Sequence, residues 1–212
     1  MVQRAKGPRF VAVAGNIGAG KSELVAFLAR RYGATPSFEP NDENPYLEDF
    51  YRDMGAWAFH SQLWFLSRKA SLHRDVQRAR GVVLQDRSIY EDAEIFARNL
   101  HEQGAMSERD WATYHGIYQQ LCAGLQAPDR LVYLRASVAT LRKRIRRRGR
   151  ASEQELPAAY LRRLNRLYEA WIERWTLSPV LVIETDDWDY RTDLVDRLDL
   201  AEQMDALLAP RS

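Results

Sequence analysis

The chain has 212 residues, with 31 Lys and Arg against 29 Asp and Glu for a formal charge of +2, and 46% of its residues are hydrophobic. That length fits one domain spanning 1–212, and the composition excludes disorder, collagen and a disulfide scaffold. A lone Cys122 excludes an intrachain disulfide and a zinc cluster, the four histidines lack ligand spacing, and no apolar run near the start approaches the ~20 residues of a membrane span. The expected home is a reducing cytoplasm, with no membrane partner.

Short apolar runs alternate with longer amphipathic stretches, the rhythm of an α/β domain. Parallel strands are predicted at residues 10–14, 35–39, 81–86, 130–135 and 180–185. Helices are predicted at 21–32, 46–54, 57–80, 90–102, 108–125, 138–148, 157–176 and 194–208. Pro157 suits a first helical turn, where its missing N–H costs nothing, and Ser107 with Asp110 three positions on is a weak capping signal. The expected architecture is a five-stranded parallel sheet flanked by helices.

Directly after the first strand comes Gly15-Asn16-Ile17-Gly18-Ala19-Gly20-Lys21-Ser22, which satisfies GxxxxGK[ST] in a strand, loop, helix context. Glycines let consecutive backbone N–H groups converge on phosphate oxygens, Lys21 reaches the β and γ phosphates, and the Ser22 hydroxyl is placed to ligate Mg²⁺. A nucleoside triphosphate, ATP, is the expected cofactor. The third strand ends in Asp86-Arg87-Ser88. Asp86 is either a metal ligand beside the phosphate loop or a cap for the following helix, and Arg87 either contacts transferring phosphate or pairs with a surface acid.

Residues 142–150 hold seven of the 31 basic residues and no acid. Alone, such a run reads as a solvated helix face or a nucleic-acid patch. Here it follows the fourth strand and helix, where small P-loop kinases carry a lid, placed at about 144–156. Arginines there would neutralise charge spreading over the phosphoryl oxygens. No RNP-type module supports RNA binding, so no nucleic-acid partner is expected.

No NKxD-type guanine motif is present, which disfavours a GTPase. Glu39, at the carboxyl end of the second strand, is either a general base for a hydroxyl acceptor or an ordinary exposed glutamate. Supporting context comes as a set: GNIGAGKS at 15–22, EP at 39–40, NPYLEDFY at 44–51, WAFHSQLWFLSR at 57–68, QDRSIYED at 85–92 and RIRRRGRASEQELPAAYL at 144–161. Across essentially the whole chain these motifs resemble the deoxynucleoside kinase family, in its bacterial deoxyadenosine/deoxycytidine and deoxyguanosine kinase branch.

The resemblance implies that Glu39 is the base for the 5′-hydroxyl, assisted by Arg87. It implies that Tyr51 and Glu153 hold the sugar 3′-hydroxyl, and that Gln62 and Asp92 contact the base, with Arg68 or Lys69 nearby. Arg144, Arg148 and Arg150 match the family's phosphate-clamping lid arginines, and Asp187, Trp188, Asp189 and Tyr190 occupy the place of its adenine-contacting loop. It also implies a homodimer through helices near 57–80 and 108–125. One or two rings from Trp57, Phe59, Trp64 and Phe65 would sandwich the base.

The expected reaction is ATP- and Mg²⁺-dependent phosphorylation of a deoxynucleoside. An ionised Asp92 only accepts hydrogen bonds, so it favours the amino group of adenine or cytosine over a carbonyl, which ranks deoxyadenosine first. Deoxyguanosine is the rival, should Arg68 or Lys69 donate to its carbonyl. A thymidylate-type nucleoside monophosphate kinase is disfavoured by Glu39-Pro40, because an anionic acceptor needs cations rather than a base. A nonenzymatic ATP-dependent RNA-binding switch is the remaining alternative.

Overall fold

The computed structural model describes residues 9–40, 43–154, 156–188 and 201–205. β1 (Phe10–Gly15), β2 (Thr35–Ser37), β3 (Val83–Asp86), β4 (Arg130–Arg135) and β5 (Val180–Glu184) form one all-parallel sheet in the order β2-β3-β1-β4-β5. The central β1 is buried at every position, which is why its apolar run is continuous rather than alternating. Phe10, Ala12 and Ala14 face one core, and Val11 and Val13 face the other. The sheet is therefore covered on both faces, as parallel sheets require.

β2 and β3 are shorter than expected. β2 stops at Ser37, so Glu39 leaves the sheet edge rather than extending it, and Pro36 is tolerated because β2 is an edge strand. β3 begins at Val83 because Gly81 takes a left-handed φ of 87°. β4 has the expected bounds, β1 runs one residue longer and β5 ends one residue earlier.

α1 (Lys21–Tyr32) packs Leu24, Val25 and Leu28 against the sheet, each contributing about 1.5–3 kcal/mol relative to exposure. α2 (Leu47–Arg52) is followed at once by α3 (Met54–Arg78), because the Asp53 carboxylate caps α3 by accepting from Ala56 N at 3.1 Å. The third helix thus starts earlier than its apolar pattern predicts. α4 (Ile89–Glu91) runs into a π-helical segment, Asp92–Ala97, and on into α5 (Arg98–Glu102).

α6 (Glu108–Ala123) is capped as predicted, with Ser107 Oγ accepting from Asp110 N at 3.2 Å. α7 (Val138–Arg148) ends at Gly149 with φ 76°, and α8 (Ala151–Gln154) follows. α9 (Ala158–Arg174) begins one residue after expected: Pro157 is its N-cap, with extended ψ 143°, rather than a residue of its first turn. Residues 201–205 are helical, and the rest of the predicted 194–208 helix lies outside the described residues. Among the described residues no helix is long and apolar enough to cross a membrane.

Candidate active site

The loop joining β1 to α1 has the backbone its glycines foretell, with Gly18 at φ 82° and Gly20 at φ 100°. A Cβ on Gly18 would lie 2.9 Å from both Leu141 O and Ile145 Cγ1, so α7 packs directly on the loop and no larger residue fits. Asn16 secures the other side. Its Nδ2 donates to Leu161 O at 3.0 Å and Asn165 Oδ1 at 2.6 Å, both on α9, while its Oδ1 accepts from Ile17 N at 2.7 Å.

Lys21 is folded onto this loop, donating from Nζ to Gly15 O at 2.7 Å and Asn16 O at 3.1 Å. Burial, reinforced by Arg87, lowers its pKa to about 8, although Asp86 opposes the shift. Gly15 is also held from below: Tyr168 OH lies 2.8 Å from Gly15 O and 2.9 Å from Glu91 Oε1, which accepts from Gly15 N at 3.3 Å. Tyr168 has one proton to share between the two oxygens. Burial pushes the Glu91 carboxyl up, although Arg87 and Lys21 pull it down.

Asp86 does not cap α4; Ser88 stands at the N-cap position. Asp86 Oδ2 instead accepts from Ser22 Oγ at 2.5 Å, and its Oδ1 is buried without a partner. A carboxylate oxygen left over beside the loop hydroxyl fits a hard divalent cation, which takes oxygen ligands. The next residue, Arg87, adopts φ 59°, the only positive φ among the described non-glycine residues, and its Nη1 lies 3.0 and 2.9 Å from the two oxygens of Glu39. Its guanidinium carbon stacks 4.2 Å from the Phe96 ring centroid. Glu39 is therefore not an ordinary surface acid: its side chain is 6% exposed and also meets Lys69 Nζ at 3.4 Å.

One cavity brings together all six predicted acceptor residues, Glu39, Tyr51, Gln62, Arg87, Asp92 and Glu153, with Lys21, Ser22 and Asp86 on its loop side. Gln62 and Asp92 are 5% and 4% exposed, and Asp92 Oδ2 has no partner. Burial pushes the Asp92 carboxyl up to about 7, against the opposing pull of Lys69. Phe65 lines this cavity from the predicted aromatic stretch; Trp57, Phe59 and Trp64 do not. Phe96 and Tyr160 line it too and were not anticipated. Phe96 was detectable, standing one helical turn beyond Asp92 on the same face, whereas nothing local marks Tyr160.

A second cavity shares Gly18 and Arg148 with the first and is lined further by Gly20, Thr140, Lys143, Arg144, Arg147, Asp187 and Trp188. Arg144 lines it, but its guanidinium is already engaged. Nη1 donates to Ala19 O at 3.1 Å and Thr185 Oγ1 at 3.0 Å, and Nη2 to Thr185 O at 2.5 Å and Trp188 O at 3.0 Å. It joins the phosphate loop to the segment after β5. Arg148 pairs with Glu153, and Arg150 approaches the same carboxylate at 3.6 Å.

Of the remaining candidates, Gly15, Asn16 and Ala19 shape the loop without lining either cavity, while Ile17 lines the acceptor cavity. Asp189 and Tyr190 lie outside the described residues. Arg68 points outward to Glu43, 2.8 Å away, with 45% of its side chain exposed.

Comparison with known proteins agrees with this geometry. The deoxynucleoside kinase family model matches residues 11–209. A deoxyadenosine/deoxycytidine kinase of Bacillus subtilis is 38% identical over 185 residues, covering 86% of this chain and 85% of that one. A deoxyguanosine kinase of Lactobacillus acidophilus is 36% identical over 203 residues, covering 92% and 88%. A deoxyadenosine kinase of M. mycoides with bound dATP superimposes with a TM-score of 0.78 at 27% identity, over 92% of this chain and 97% of that one. Two cavities meeting at a phosphate loop, a buried carboxylate at the acceptor side and a match along nearly the whole sequence converge: the chain belongs to the deoxynucleoside kinase family and phosphorylates the 5′-hydroxyl of a deoxynucleoside.

Proposed function

We propose that the preferred acceptor is deoxyadenosine, with deoxycytidine second, and that the donor is ATP with Mg²⁺. The observation that carries the base preference is the pair Gln62 and Asp92 in the acceptor cavity, with Arg68 turned to solvent and Lys69 turned to Glu39. Adenine and cytosine present an amino donor beside a ring-nitrogen acceptor. The Gln62 amide serves both atoms, and an ionised Asp92 accepts from the amino group. With both cations directed elsewhere, only the Gln62 amide is left to meet the guanine carbonyl, and an ionised Asp92 has no proton to donate to it. The 38% identical relative is a kinase of deoxyadenosine and deoxycytidine, the same two acceptors.

A second reading, deoxyguanosine, has one observation in its favour. Burial brings Asp92 to about 7, so a proton on the acid turns it into a donor. Competition between deoxyadenosine and deoxyguanosine at pH 8, where Asp92 is mostly ionised, separates the two; preference for deoxyguanosine there sinks the first reading.

In the reaction, Glu39 takes the 5′-hydroxyl proton as the new O–P bond forms and the bond from the γ-phosphorus to its bridging oxygen breaks, leaving ADP. Arg87 spans the carboxylate and the incoming phosphoryl. Tyr51 and Glu153 hold the 3′-hydroxyl, and Lys21, Arg148 and Arg150 carry the phosphates, Arg148 exchanging Glu153 for them. Ser22 and Asp86 would hold Mg²⁺, which when bound supplies positive charge to the β and γ phosphate oxygens. The lid from about 144 to 156 excludes water, limiting wasteful hydrolysis of ATP. Trp188 and Asp187 supply the adenine wall of the donor side.

The same reading makes 1–212 one kinase domain acting in the cytoplasm, as a homodimer across α3 and α6. Ile117 on α6 is 37% exposed, an apolar contact for such a face. Sedimentation velocity at micromolar concentration tests it, and a monomer there excludes the dimer.

A further inference from the structure

Lys69 does not line either cavity, yet its side chain is 1% exposed and its ammonium sits against the back of the acceptor cavity. It lies two helical turns beyond Gln62 on α3, so the same helix face that offers Gln62 to the nucleoside carries Lys69 beneath the end of β3. Nζ lies 2.6 Å from Arg87 O, 3.4 Å from Asp86 O and 3.4 Å from Glu39 Oε1. An ammonium has three donors, and three oxygens surround it. The three belong to the two residues that leave β3 and to the carboxylate across from them.

Arg87 needs such a hold, since its left-handed φ of 59° is one that L side chains disfavour and that persists only where surroundings over-determine it. Its N–H is held from the other side by Val13 O at 3.1 Å. Without Lys69 the carbonyl side of that turn is released, and Glu39 Oε1 keeps Arg87 Nη1 at 3.0 Å but loses the ammonium that approaches it from α3.

We propose that Lys69 is a positioning residue for phosphoryl transfer, clamping from behind the cavity wall the Glu39 carboxylate and the left-handed backbone of Arg87 so that base and guanidinium converge on one hydroxyl. The inference rests on the reading of Glu39 as the base. It assigns to Lys69 no direct contact with the nucleoside, so its removal acts chiefly on turnover, with a smaller effect on acceptor binding through the charge it places near Asp92.

The test is a double-mutant cycle on the full chain: Lys69→Met, Lys69→Gln, Glu39→Gln and the combinations, each checked by thermal melting and assayed in single turnover with deoxyadenosine and ATP. Lys69→Met is expected to lower the rate by about 10- to 100-fold while the nucleoside KM moves less than about threefold. In the Glu39→Gln background the same change is expected to cost no more than about twofold, because the group it positions is already disabled. Lys69→Gln keeps an amide donor for Arg87 O and is expected to lie between wild type and Met. A full, additive loss in the Glu39→Gln background, an effect confined to KM, or loss of the native fold in both Lys69 variants overturns the proposal. Undiminished turnover in Glu39→Gln itself is a different result, which removes the base assignment.

Discussion

Glu39 is nearly buried and is held by two cations, Arg87 and Lys69, as burial of a carboxylate requires. Contacts that close hold the carboxylate in one orientation, so an incoming hydroxyl meets a fixed acceptor. Replacing Glu39 with Gln keeps the shape and removes the proton acceptor, so turnover is expected to fall by about 10² to 10⁴ with a small change in nucleoside KM; rapid-quench measurement of the chemical step checks it, and an unchanged rate removes the assignment. At Asp92 the expected effect is on choice rather than speed. Asp92→Asn adds a donor beside the accepting oxygen, which should narrow the deoxyadenosine to deoxyguanosine ratio by roughly the 1 to 3 kcal/mol of one specific polar contact, read from competing substrates. Lys21, brought down to about 8 without a nucleotide, predicts that donor affinity measured by calorimetry weakens as pH rises through that value, and that the dependence disappears in Lys21→Met.

Among the elements, the phosphate loop was the most legible in the sequence, because its chemistry is local: eight consecutive residues fix backbone, charge and helix start together. The seam between β3 and α4 was only half legible. The Asp-Arg-Ser run identified Asp86 and Arg87, but the left-handed φ of Arg87 depends on Lys69, which is remote in sequence, so no local signal announced it. The arginine segment shows the same limit in reverse. The family resemblance gave Arg144, Arg148 and Arg150 one role, whereas packing places Arg144 on three carbonyl oxygens and a hydroxyl, where it holds Ala19 against Thr185 and Trp188. Below the loop, Tyr168→Phe removes the hydroxyl shared by Gly15 and Glu91 and should cost about 1 kcal/mol of stability. Its kinetic effect belongs to the donor side, an ATP KM raised several-fold with the nucleoside KM nearly constant; the opposite pattern would show that α9 does not set the loop.

For the molecule as a whole, the buried Asp92 makes stability depend on pH in the direction opposite to that of a salt-bridged acid. Its pKa lies near 4 when unfolded and is pushed up to about 7 when folded. Between those values the folded chain binds more protons than the unfolded one, so this group's contribution is full at low pH and is lost as pH rises through about 7. Asp92→Asn has no such loss. Thermal melting of the nucleotide-free protein should therefore show the variant gaining on wild type from pH 5 to pH 8, and parallel curves would count against a raised pKa. The parallel sheet itself was readable from short apolar runs, clearest at β1, β4 and β5 and weakest at β2, which is Thr35-Pro36-Ser37. The order β2-β3-β1-β4-β5 was not, since register is a property of paired strands and not of any one of them.

The π segment at Asp92–Ala97 sits where consecutive side chains face different substrates: Glu91 reaches Gly15 of the phosphate loop, and Asp92 opens into the nucleoside cavity. A π turn holds more residues than an α turn, so the segment absorbs an extra residue without turning the helix beyond it: deleting one residue there would tighten π to α and leave α5 facing as it does, whereas the same deletion in an α-helical stretch would swing every following side chain by about 100° around the axis. The side chains such a deletion displaces are those inside the segment, and Asp92 and Phe96 both line the nucleoside cavity. A change of length at this point therefore reshapes the base end of the site and spares the helix that follows.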